Sequence, residues 1–158
     1  MTSAVAAFTL SACVDDVYKY PARQATAVGI DYPRAARRAR AGDQAALITL
    51  FRVTANLDGL GAEEHSSELQ ELLRHYGDAQ FAALLRRENR AIRQNVVDSL
   101  DFAFLVYTRD RCWFRTFPLT YSLGRHPVLR ESHTRRPNEA RGCVKTLEAK
   151  MSTHEDAL

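Results

Sequence analysis

Two stretches decide the fold: Gly42-Asp43-Gln44-Ala45-Ala46-Leu47-Ile48-Thr49-Leu50-Phe51 and, 35 residues later, Gly77-Asp78-Ala79-Gln80-Phe81-Ala82-Ala83-Leu84-Leu85. Each opens on Gly-Asp, a stop followed by a restart. Glycine adopts a left-handed helix end at little cost, and aspartate accepts from the free amides that begin the next helix. Behind each pair the apolar residues return at helical spacing, and Phe81, Leu84 and Leu85 stand where Ala46, Thr49 and Leu50 stood. The pattern is that of helices packed by short joints.

Working outward, Asp31 can cap a helix, Pro33 suits its first turn, and Ala35 to Ala41 carries it to Gly42. The next helix runs from Gln44 to about Leu57 and is broken by Asp58-Gly59-Leu60-Gly61. A third places Leu69, Leu72, Leu73 and Tyr76 on one side, with Glu63, Glu64 and Glu68 early, where the helix dipole favours anions. The expectation for that acidic start is a solvated surface. After Gly77, a fourth helix reaches Glu88-Asn89-Arg90, a turn. A fifth carries Ile92, Val96, Val97, Leu100, Phe104 and Tyr107 at spacings of mostly three and four. Residues 102–107 finish that helix or form a strand. The expected fold is therefore mostly α, built of antiparallel helical hairpins.

The run Ile92-Arg93-Gln94-Asn95-Val96-Val97-Asp98-Ser99-Leu100 resembles the second helix of a HEAT-type repeat, in which an arginine follows the first apolar position. The likeness covers about residues 34–107, and the spacing near 35 falls among helical-repeat proteins. It implies a short HEAT-like array that binds another protein along its helical face. A hairpin in such an array cannot bury its apolar face alone, so the C-terminal third must cap it.

That third differs in kind. Cys112-Trp113-Phe114-Arg115-Thr116-Phe117-Pro118-Leu119-Thr120-Tyr121 is aromatic and punctuated by proline. It reads as an extended, irregular segment laying Trp113, Phe114, Phe117, Leu119 and Tyr121 against the helices. Residues 130–158 read as a loosely held tail, with a short helix around Val144 to Met151.

At the other end, Leu10-Ser11-Ala12-Cys13 resembles the lipobox of bacterial lipoprotein signals, and Asp15 and Asp16 follow it at once. The resemblance implies that Cys13 is an acylated membrane anchor. The basic start of such signals has no counterpart, because residues 1–18 contain no Lys or Arg. The alternative is an N-terminus that packs Val5, Phe8 and Leu10 onto the domain. If Cys13 is the anchor, Cys112 and Cys143 remain as a possible disulfide, which an oxidising envelope would allow. Otherwise they are two buried thiols in a cytoplasmic protein. The organisation expected is a signal or anchor at 1–13, a linker or irregular lead-in at 14–32, a helical domain with its aromatic extension at 33–129, and the tail at 130–158.

With 158 residues, 46% apolar and 26% charged, the chain suits one globular domain rather than a two-domain cofactor enzyme. No apolar run approaches the ~18 residues a membrane-spanning helix needs. The net charge is +3, and 19 of the 22 cations are arginine. Such mild basicity does not by itself imply nucleic acid.

Chemistry-bearing motifs are few. There is no Cys-x-x-Cys, no His-Glu-x-x-His, no nucleophile elbow and no phosphate-binding glycine loop. Glu63-Glu64-His65 and His75 could serve a metal, but ten helical positions turn His75 about 280° from His65. His126 and His133 with Glu131 could form a metal or acid–base site in the C-terminal end. No catalytic residue, metal or cofactor is assigned. Arg86, Arg90 and Arg93 share a face if the helix continues through the 88–90 joint, and with Trp113 and Phe117 they form the expected interaction surface. The leading function is a non-enzymatic protein-interaction module, tethered to the envelope through Cys13. The alternatives are a small metal-dependent or hydrolytic enzyme, or an arginine-mediated nucleic-acid binder.

Overall fold

The computed structural model describes residues 18–124. Expectations for Cys13, for Cys143, for His126, Glu131 and His133, and for the tail lie outside the described residues. Within them the protein is helical, with no strand. The elements are α1 (Lys19–Thr26), α2 (Tyr32–Arg40), α3 (Gln44–Val53) with a 3-10 turn (Thr54–Asn56), α4 (Gly59–Leu85), α5 (Arg90–Val106), and two one-turn helices, α6 (Trp113–Thr116) and α7 (Pro118–Tyr121). The strand alternative for residues 102–107 is excluded, because α5 runs through to Val106.

The joints obey the capping logic. Asp31 accepts from the Arg34 amide, Asp43 accepts from Ala45 and Ala46, and Asn89 accepts from Ile92. Each carboxylate or amide oxygen satisfies donors that the helix leaves free. Gly42 ends α2 at φ +91°. Gly77 departs from the simple left-handed end: its φ of +73° comes with an extended ψ of 161°, and α4 kinks there without being interrupted by a loop. That combination is open essentially to glycine alone.

One apolar core joins all of these helices. Tyr32, Ala36, Leu47, Leu50, Phe51, Leu69, Leu72, Leu73, Phe81, Leu85 and Leu100 are fully buried in it. Hairpins α2–α3 and α4–α5 pack internally, and the rings of Phe51 and Phe81 meet edge-on at 4.9 Å. Truncating one of these leucines to alanine costs about 2–5 kcal/mol by lost transfer energy plus the cavity.

Two expectations need correction. The lead-in is not irregular: α1 packs on α4, with Ala25 fully buried and Tyr18 nearly so. Its buried side chains include alanine and proline, which carry little periodic signal. The aromatic segment is not extended either. It folds as α6 and α7, with the Trp113 indole stacked on Phe104 at 5.0 Å and edge-on to Tyr121 at 5.1 Å. The carboxylate of Asp78, just past the kink, accepts from the Leu119 and Thr120 amides, each at 2.8 Å, and so starts α7. The kink thereby ties α4 to the aromatic cap.

A side chain at Gly77 would meet no neighbour within 4 Å. Gly77→Ala therefore tests backbone conformation alone. It should destabilise by about 1–3 kcal/mol, the cost of a non-glycine residue in this region. An unchanged urea midpoint would place the kink elsewhere.

Candidate interaction surface

The first titratable cluster is internal. His65, in the second turn of α4, is 1% exposed. Its Nδ1 lies 2.7 Å from the Tyr32 hydroxyl and its Nε2 lies 2.9 Å from the Thr54 hydroxyl. Thr54 also donates to the Leu50 carbonyl, at 3.2 Å. One proton arrangement satisfies every group: Tyr32 O–H donates to Nδ1, Nε2–H donates to Thr54, and Thr54 donates onward to Leu50. The imidazole is thus neutral, and burial pushes it down to about 3. With both nitrogens engaged and no access to solvent, this ring takes up structure rather than substrate.

One turn on, Glu68 is also buried. Arg40 forks it, Nε to Oε1 at 2.8 Å and an Nη to Oε2 at 2.6 Å, and reaches Glu71 at 2.7 Å. Tyr18 donates to the same carboxylate at 3.3 Å. Burial, then the Glu68 charge, raises the Tyr18 phenol above its ordinary range. Glu64 is half-buried, and burial raises its carboxyl while the Tyr20 amide partly offsets that. The acidic start of α4 is therefore not a solvated face, as expected from sequence; only Glu63 remains exposed there. His75 is exposed, so the two histidines point apart as the helical angle requires. No group of three or more His, Cys, Asp or Glu able to hold a metal exists among the described residues.

The arginine joint also departs from expectation. α4 ends at Leu85 and α5 begins at Arg90, so Arg86, Arg90 and Arg93 do not line one continuous helix. Arg93 instead donates to the Glu88 carbonyl at 3.1 Å and reaches the Arg86 carbonyl at 3.5 Å, answering the free carbonyls at the end of α4. Glu88 is buried and forked by Arg52 at 2.9 and 3.0 Å. Arg86, Arg87 and Arg90 stay exposed.

Trp113 is 2% exposed and donates its indole N–H to Asp101 at 2.7 Å. It belongs to the core and offers no docking surface. Phe117 is half-buried against Phe104, their centroids 5.7 Å apart. Cys112 is half-buried and disulfide-bonded.

What the sequence reading missed is the outward face of α5. Phe102, Leu105, Val106 and Tyr107 are 38%, 50%, 49% and 47% exposed. The first three follow the i, i+3, i+4 spacing of one helical face. Tyr107 closes the patch edge-on to Phe102 at 6.3 Å and donates to the Glu63 carbonyl at 3.4 Å. Asp98 and Arg109, both exposed, bracket it along the chain. The signal was present, because α5 is apolar on both sides near its end. Which side the core takes depends on α4 and α6. Apart from this patch, a shallow groove of about 360 Å³ runs between the α1–α2 turn, α2 and α3, lined by Asp31, Arg34, Arg38 and Thr49.

Comparison with protein families, with curated proteins and with solved structures finds no match to this chain.

His65 makes stability pH-dependent. Above the unfolded value near 6.5 the ring is neutral in both states. Below it the unfolded chain takes a proton that the folded chain refuses, so stability falls as pH drops towards 3. Between pH 7 and 5 the loss from this ring is about 2 kcal/mol. Urea midpoints of the wild type and His65→Gln should show that slope present in the first and reduced in the second.

Proposed function

We propose that the chain is a non-enzymatic protein-binding module of the HEAT-like, helical-repeat kind, held at the bacterial envelope through Cys13. The observation that carries the binding reading is the apolar end of α5: four large side chains, 38–50% exposed and close together on the packed α4–α5 hairpin. Water-facing apolar side chains gathered on one face mark interaction sites, whereas scattered ones need no explanation. Phe102 and Tyr107 supply the aromatic anchors on which interface energy concentrates. With both nitrogens occupied, His65 is not available as a metal ligand or acid–base group. A Cys112–Cys143 bridge would fit the oxidising compartment that this reading requires. Phosphate or nucleic-acid binding through Arg86, Arg87 and Arg90 is the second reading, favoured by three exposed arginines within five residues.

A photo-crosslinking residue at Leu105 should trap a protein in the native host, while the same residue at Arg34 on α2 should not. Phe102→Asp should abolish the Leu105 adduct without lowering the melting temperature. Equal adducts at both positions, or adducts indifferent to Phe102→Asp, would falsify the docking face. Intact mass and non-reducing peptide maps test the tether. They should show acylated Cys13 and a Cys112–Cys143 bridge; a Cys112–Cys13 bridge excludes the anchor.

A further inference from the structure

The outward face of α5 has an order that the bundle itself does not use. Asp98, Phe102, Leu105 and Arg109 are spaced four, three and four apart, the alternation that lines the seam of a coiled coil. Asp98, Phe102 and Leu105 lie on the helix, and Arg109 follows three residues beyond its end at Val106. All four are exposed. The seam therefore reads acidic, apolar, apolar along the helix, and a basic residue follows where the chain leaves it.

We infer that the partner of this face is a second copy of the same chain, docked antiparallel through α5. This rests on the reading of the α5 end as a protein-docking face, and it names the occupant. In an antiparallel pair, the layers across the seam match a position early on one helix with one late on the other. One two-fold axis between residues 103 and 104 sets Phe102 against Leu105 of the second copy and Leu105 against its Phe102. The same axis sets Asp98 against Arg109 of the second copy, and the reciprocal pair at the far end. A single operator thus satisfies four layers, two apolar and two of opposite charge. This is the self-complementarity that an isologous contact requires. A parallel pairing would oppose Asp98 to Asp98 and Arg109 to Arg109, and like charges there select against it. Val106 and Tyr107 lie beside the seam and widen its apolar centre.

Arg109 adds an independent observation. It has φ +53° and is the one non-glycine residue with positive φ among the described residues. It turns the chain out of α5, and the next amide, Asp110, returns to the Phe104 carbonyl at 2.9 Å. Glycine would hold that conformation with less strain. An arginine at this position is unfavourable for the monomer. In the dimer the same left-handed turn sets a cation at the end of the apolar seam, where it faces the second copy's Asp98. The apolar centre is only two layers deep, which suits a weak, reversible dimer rather than an obligate one.

The test is the oligomeric state of the full chain, by light scattering across a dilution series, with charge-exchange variants. At about 100 µM the wild type should be dimeric and should dissociate on dilution, as small interfaces with micromolar Kd do. Asp98→Arg and Arg109→Asp should each raise Kd at least tenfold. Their combination should restore the wild-type Kd to within a few-fold, because the two-fold axis pairs each changed residue with the other. Arg109→Gly should move two readouts in opposite directions, a higher melting temperature for the diluted monomer and a weaker dimer. Leu105→Asp should abolish dimerisation with the melting temperature of the diluted monomer unchanged. A wild type that stays monomeric at every concentration overturns the proposal, as does a double variant no better than the singles. If the chain is monomeric while Leu105 still crosslinks to a different protein, the self-association fails and the docking face stands. If Leu105 traps nothing either, both fail.

Discussion

The bundle depends on a neutral imidazole at its centre. His65 sits where α2, the end of α3 and α4 converge, and it engages a hydroxyl from each of its two neighbours. A ring buried this deeply tolerates neither a proton nor a lost partner, because polar groups inside an apolar core are costly when unpaired. Sliding α4 by one residue along its neighbours would strand both nitrogens at once. The Arg40 fork on Glu68 repeats the constraint one turn on with charge in place of hydroxyls, and Tyr18 extends it to α1. These two networks specify the register that leucine packing alone leaves loose.

The second half of the molecule is organised by Asp78. Its carboxylate serves the amides of α7, so the Gly77 kink that redirects α4 also aims the group that starts the aromatic cap. The cap in turn covers Phe104 and leaves Phe102 uncovered. Inside and outside of α5 are therefore decided by where α6 lands. The exposed apolar face on the far side is what makes this hairpin a candidate for docking.

Much of the fold was legible along the chain. Asp31 and Asp43 cap where their chemistry says they should, and the turn read at 88–90 is where Asn89 caps α5. Gly42 and Gly77 mark the ends of regular helix because only positive φ lets the chain turn there, although Asp78 serves α7 and not the helix it opens. α1 was not legible, since an alanine and a proline bury little area and leave no strong stripe. The surface reading fared worse. Arg93 turns back onto carbonyls of the α4 end, Trp113 is sealed in the core, and Glu68, expected in water, is buried beneath Arg40. Each of these depends on a partner far away in sequence, and no local pattern carries that information.

Local chemistry by itself determined helices α2 to α5 and the caps at Asp31, Asp43 and Asn89, because those hydrogen bonds involve residues within four positions; α7 instead takes its start from Asp78, 41 and 42 positions away. Local chemistry also determined that α5 is apolar around most of its circumference near the C-terminal end. Only the tertiary structure decided which of those apolar residues the core would take, which acidic residues would be buried with a cation, and that His65 would be neutral. Those outcomes are set by packing between elements 30 to 50 residues apart, as in the Tyr18–Glu68 and Tyr32–His65 contacts. Burial, unlike capping, is a property of the assembled surface rather than of any stretch of chain.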